Sequence, residues 1–152
     1  MALTDTIKQV LRIDTTVTAY DEEVNGLIAE CKDDLALSGV LKISEDDNLI
    51  CRAIKIYAKA NFGWDNPDAE RLDQSYKMLK AYLSTSLEYA YFKVTINAVA
   101  QTEVTFDGTA KQTDSGGVVE FYSRQANNVK YTVNSVDYYA DITDDITLTP
   151  GE

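Results

Sequence analysis

Residues 83–98 read LSTSLEYAYFKVTINA, and the period of the apolar residues changes inside this stretch. Upstream, apolar side chains return every third or fourth residue, as on one face of a helix. Downstream, Phe92, Val94, Ile96 and Ala98 alternate with Lys93, Thr95 and Asn97, as on a half-buried strand. The chain is therefore read as α+β. A four-helix bundle-like domain occupies residues 1–91, and a small antiparallel β-sandwich occupies residues 92–152.

Working back from the switch, four helices follow from spacing and punctuation. Leu3, Ile7, Val10 and Leu11 mark a short first helix with Thr4 as its cap, stopping by Asp14. Thr18 and Asp21 suggest the cap of a second, whose face is Val24, Leu27, Ile28, Cys31 and Leu35 and whose stop is Ser38-Gly39. Ser44 and Asp47 repeat that pattern before a third helix ending near Phe62-Gly63. Its apolar positions Leu49, Ile50, Ala53, Ile54, Ile56, Tyr57 and Ala60 cover more than half the circumference, which predicts a central helix packed on several sides. Arg52, Lys55 and Lys59 share the narrow remainder. That basic stripe suits an acidic partner or DNA, or else is a solvated face neutralised by nearby carboxylates.

Asn66-Pro67 opens a fourth helix with the core stripe Leu72, Tyr76, Leu79, Leu83 and Leu87. Met78, Tyr82 and Tyr89 fall off that stripe, and together with Trp64 in the turn before the helix they are candidate interface residues. Packing within the chain is the competing reading for all four.

Working forward, Val104 and Phe106 precede the hairpin signal Asp107-Gly108, and Val119 and Phe121 follow Ser115-Gly116-Gly117. Val129, Tyr131 and Val133, then Val136, Tyr138, Ala140 and Ile142, flank Asn134-Ser135, and Ile146 with Leu148 closes the series. Six or seven short strands at this spacing predict a sandwich.

Composition narrows the chemistry. The 152 residues carry 14 Lys plus Arg against 25 Asp plus Glu, a net of −11. Residues 1–92 hold 10 basic and 16 acidic side chains and residues 93–152 hold 4 and 9, so acidity is not confined to a tail. Such a charge argues against affinity built on neutralising nucleic-acid phosphates or an anionic membrane. The absence of histidine removes His-based triads and His-containing metal sites. Cys31 and Cys51 have no neighbouring Cys or His; a disulfide between them is conceivable, and two reduced core thiols is the preferred reading. No nucleophile elbow, phosphate-binding loop, Cys-x-x-Cys pair or His-Glu-x-x-His helix occurs. The carboxylate clusters at Asp21-Glu22-Glu23 and Glu45-Asp46-Asp47 stand at helix starts, where negative charge complements the dipole. Asp141, Asp144 and Asp145 are a weak calcium candidate. No catalytic residue, cofactor or metal is assigned. The first eleven residues lack the apolar core of a cleavable signal, and no apolar run reaches the roughly 20 residues of a membrane span, so a cytoplasmic origin is expected.

Three pieces of the helical part carry a family resemblance. Thr6-Ile7-Lys8-Gln9-Val10-Leu11-Arg12-Ile13-Asp14 is followed by an acidic stretch leading to Val24-x-x-Leu27-Ile28-Ala29, and the third helix reads Ile50-x-x-Ala53-Ile54-x-x-Tyr57-Ala58. In this order and spacing, residues 1–90 resemble the small helical head-tail connector (adaptor) proteins of long-tailed phages and prophages. The resemblance implies a non-enzymatic virion protein at the head-tail junction, assembled in the host cytoplasm. It further implies a homo-oligomeric ring, a dodecamer in the virion, docked on the portal protein and offering a platform to the next neck or tail-completion protein. DNA would pass through the lumen without specific binding, past a wall of acidic subunits.

Compact members of that family hold little more than the helices. Here Val104-Thr105-Phe106-Asp107-Gly108 and Thr113-Asp114-Ser115-Gly116-Gly117 resemble the repeated pattern of immunoglobulin-like or carboxypeptidase-regulatory-like modules, which bind or space. The alternative reading is a non-catalytic two-domain binding module, a surface or carbohydrate-binding accessory, motivated by the tyrosine-rich sheet. A carboxylate-dependent hydrolase is a third.

Overall fold

A computed structural model describes residues 1–151. It divides into two compact units, Met1–Tyr89 and Ala90–Glu152.

The first unit is helical: α1 (Leu3–Val10), α2 (Asp21–Leu37), α3 (Asn48–Asn61), α4 (Ala69–Thr85) and the single turn α5 (Leu87–Ala90). As its wide apolar arc requires, α3 packs against α1, α2 and α4. Ile7, Val24, Leu35, Ile50, Ile54 and Leu83 lose all contact with solvent around it. Each such side chain contributes about 1.5–3 kcal/mol by leaving water, so this cluster is what holds the unit together.

The helix starts differ from the sequence expectation. Thr4 does not cap α1; it lies inside the helix, and its hydroxyl donates to Asn25 Oδ1 at 2.6 Å, tying α1 to α2. Neither does Thr18 cap α2: its carbonyl accepts from the Asp21 amide in a turn, the helix begins after Tyr20 with no side-chain cap, and Asp21 pairs with Lys8 at 2.7 Å. At α3 the cap is Asp47 rather than Ser44, its carboxylate accepting from the amides of Leu49 (2.8 Å) and Ile50 (3.0 Å). Asn66 Oδ1 accepts from the Asp68 amide in a turn around Pro67, which delays α4 to Ala69.

The stop at Ser38-Gly39 takes the expected form. Gly39 has φ 100°, and the amides of Gly39 and Val40 donate to the carbonyls of Ala36 and Leu35, satisfying the last turn of α2. The α4 helix ends at Thr85, so Leu87 leaves the core stripe and is exposed on α5.

The second unit contains β1 (Phe92–Asn97), β2 (Glu103–Phe106), β3 (Thr109–Gln112), β4 (Val118–Ser123), β5 (Ala126–Val133), β6 (Val136–Ile142) and β7 (Ile146–Leu148). They form a three-stranded sheet, β4-β1-β7, and a four-stranded sheet, β3-β2-β5-β6. The sheets meet face to face: the rings of Phe106 on β2 and Phe121 on β4 lie 5.3 Å apart. Four strand pairings are antiparallel; the fifth, β1 with β7, is parallel, Val94 facing Ile146. The parallel pair arises because the chain crosses from one sheet to the other after β6 and returns beside β1.

Turns fix the register. Asp107-Gly108 and Asn134-Ser135 have positive φ at both positions, the twist that a two-residue hairpin needs. Gly117 is indispensable in another way. At φ 78° a Cβ there would sit 2.1 Å from the Ala98 carbonyl oxygen, which is backbone and cannot yield. The preceding residues of the same motif hold the turn. Buried Thr113 donates to the Val99 carbonyl at 2.7 Å and accepts from the Thr102 amide at 2.9 Å, and Asp114 Oδ1 accepts from the amides of Gly116 and Val118.

Candidate assembly surfaces

The side chains singled out from sequence separate into three groups. Trp64 is 96% exposed, Met78 75% and Tyr82 55%. Met78 and Tyr82, four residues apart on α4, share one helix face. Covering three such groups with a partner would contribute several kcal/mol of burial. Trp64 borders a groove of about 560 Å³ lined by Ile13, Val17, Tyr20 and Phe62, with Arg12 and Asp14 at its rim. The Tyr20 and Phe62 rings meet edge to face at 5.9 Å in its wall.

Tyr89 belongs elsewhere. It is only 6% exposed, and its hydroxyl donates to the Asp47 carboxylate at 3.0 Å. Its carbonyl accepts from the amides of Leu41 and Lys42. The break after Thr85 shifts its helical phase, so Tyr89 does not continue the Met78 and Tyr82 face but anchors the start of α3 from inside. Burial, helped by the bond to Asp47, pushes its phenol up to about 12.

The third group is the basic stripe. Arg52 and Lys59 are exposed and Lys55 is half-buried. Among the described residues none of the three forms an ion pair, although Lys8, Lys32, Lys77, Lys80, Lys93 and Lys130 all do. Among the described residues no carboxylate comes within ion-pair distance of the stripe, whose two outer members stand in solvent. Lys59 also lines a cleft of about 290 Å³ with Arg12 and Arg71, where the ends of α1 and α3 meet the start of α4.

Two polar arrangements inside the unit had no sequence signal. Lys8 is 1% exposed, its ammonium donating to Asp21 at 2.7 Å and to the Thr15 carbonyl at 2.9 Å. Asp34 accepts from the Tyr76 hydroxyl at 2.6 Å and from Lys80 at 3.0 Å. Burial raises the Asp34 carboxyl, but those two hydrogen bonds outweigh it and the net shift is downward. Burial and the same bond push the Tyr76 phenol up.

The last carboxylate cluster is tied to the backbone of the sheet unit. Asp141, Asp144 and Asp145 each accept from a backbone amide, of Asn128, Asp145 and Lys93 respectively. Among the described residues no group of three or more His, Cys, Asp or Glu is placed to hold a metal. Cys31 and Cys51 are free; Cys31 is buried and its thiol is pushed up to about 11 by that burial, whereas Cys51 is only half-buried, not a core thiol. The exposed tyrosines of the sheets, Tyr122 on β4 and Tyr139 on β6, lie on the outward faces of different sheets and make no common platform for a sugar. No helix among the described residues is long and apolar enough to cross a membrane.

Residues 3–90 match the family model described as phage connector protein. No curated protein and no solved structure matches the chain. The family match ends where the helical unit ends, and it covers α1 to α5 with every unpaired cation and exposed aromatic of that unit. Spanning more than half of the chain, it brings with it a structural role among the components of a phage virion, and the chain belongs to the phage connector protein family.

Proposed function

We propose that this chain is a head-tail adaptor that forms a ring, dodecameric in the virion, beneath the portal and joins the DNA-filled head to the next neck or tail-completion component. The observation that carries this reading is the family match over residues 3–90, on a unit that keeps Trp64, Met78 and Tyr82 in solvent. Trp64, Met78 and Tyr82 are the contacts we assign to portal or tail, and Arg52, Lys55 and Lys59 to a partner of opposite charge. DNA leaves through the lumen, and the net charge of −11 keeps the duplex from adhering to the wall. The sheet unit, as an immunoglobulin-like spacer, adds contacts to the ring or the neck. Assembly takes place in the host cytoplasm, without membrane, cofactor or catalysis.

The test is to mix the purified chain with purified portal rings and image the product by electron microscopy. Ring-shaped density added to one end of the portal is the expected result. Bare portals beside free chain would sink the reading.

A further inference from the structure

Four cations of the helical unit make no ion pair among the described residues: Arg52, Lys55 and Lys59 along α3, and Arg12 in the cleft that Lys59 lines. With Arg71 across that cleft, where it pairs with Asp68 at 3.4 Å, they leave a basic track on a chain that is strongly acidic. A second face of the same unit has the opposite character. The buried residues Val24, Leu27, Ile28, Cys31 and Leu35 define the inner side of α2. Opposite them, Glu22, Gly26, Ala29 and Asp33 recur at helical spacing, with Glu30 beside them. Glu22 and Asp33 are exposed and, among the described residues, pair with no cation.

The two surfaces are opposite in sign and comparable in length. Glu22 to Asp33 spans eleven residues, about 16 Å of helix; Arg52 to Lys59 spans seven, about 10 Å, and the cleft with Arg12 and Arg71 extends it. Between the two acids sits Gly26, in the middle of a 17-residue helix. A Cβ there would meet nothing within 4 Å, so packing inside the chain does not require glycine. Glycine at a helix centre weakens the helix, and what it provides is room for the close approach of another surface.

We infer that the basic track of one copy receives the outward face of α2 from a second copy of this chain. The inference rests on the connector reading, in which copies stand side by side, and names the surfaces that meet. Duplex DNA is the weaker occupant: it carries one charge per about 1.7 Å along its whole length, which a chain of net charge −11 opposes more strongly than it does a single helix face bearing Glu22, Glu30 and Asp33.

Charge reversal in the full chain tests it. Arg52→Glu with Lys59→Glu turns the track acidic, and Glu22→Lys with Asp33→Lys turns the α2 face basic. Self-association is read by sedimentation velocity up to millimolar protein at low salt, with circular dichroism confirming that each variant is folded. The wild type should associate, less so as salt is raised. Each reversed variant alone should associate at least about tenfold more weakly, because like charges then face each other. Mixing the two variants should restore association, since every contact again pairs opposite charges. A monomeric wild type, an unaffected variant, or a mixture that stays dissociated overturns the inference. So does retention of a DNA duplex by the track without self-association. In each of those cases the addition of density to portal rings decides the connector reading separately.

Discussion

The helical unit and the sheet unit solve the same stability problem with different materials. Around α3 the apolar core is threaded by polar contacts: Lys8 with Asp21, Asp34 with Tyr76 and Lys80, and Tyr89 with Asp47. The sandwich keeps its ion pairs on the outside, Lys93 with Glu120 and Lys130 with Asp137, and inside relies on alternating Val, Ile and Phe plus turns of fixed geometry. Polar contacts of the first kind depend on groups brought together from distant parts of the chain. Turns of the second kind depend on single backbone positions. Sensitivity to mutation and to pH should therefore divide between the units.

The largest effect should come from the sheet. Gly117→Ala drives a Cβ into the Ala98 carbonyl at a positive φ, which should cost roughly 3 kcal/mol or more, a large share of a small domain's stability. Amide exchange would show it as lost protection at Val94 and Ile96 while Ile54 in α3 keeps its own; loss of protection at all three together would erase the contrast drawn here.

Next is Lys8→Met, which preserves bulk but removes the ammonium. Breaking a buried pair costs about 3–5 kcal/mol; Asp21 keeps partial access to water, so roughly 2–3 kcal/mol is expected in urea unfolding of the helical unit. No loss would mean that the pair contributes little beyond its methylenes.

Smaller is the response to alkali, which is stronger in the helical unit than in the sheet unit, where burial raises Tyr131 by less. The Tyr89 phenol is raised above its ordinary value near 10 to about 12, and Tyr76 is raised as well. Between these values the unfolded chain has released protons that the folded chain retains, so stability falls as pH rises. The contribution is complete below pH 10 and gone above about 12 for Tyr89. Urea midpoints for wild type and Tyr89→Phe should converge across that window; parallel curves would show that Tyr89 is not the titrating group.

The same contrast explains what could be read in the sequence. Alternation with period two names inward residues one by one, so Val94, Ile96, Phe106 and Phe121 were legible, as were the turns at Asp107-Gly108 and Asn134-Ser135. Periodicity is blind to the crossover that sets β7 parallel to β1. In the helical unit spacing located the helices and the central place of α3. It did not reveal that Asp21 would bind Lys8 instead of capping with Thr18, or that the break after Thr85 would carry Tyr89 inward. Both outcomes are decided by partners far away in sequence. Of the candidate surface, Trp64, Met78, Tyr82 and the α3 cations were legible because single residue types in a helical phase announce them. The cleft joining Lys59 to Arg12 and Arg71 was not, because it takes three helices to build it.

The central claim is that the chain joins head to tail, and the most direct measurement is made on particles. DNA-filled heads carrying this protein, isolated before tail attachment, would be imaged by cryo-electron microscopy and averaged about the portal vertex. The account predicts a closed ring beneath the portal whose density fits α1 to α4. Heads that contain the chain but lack such a ring, or that place it away from the portal vertex, would contradict it.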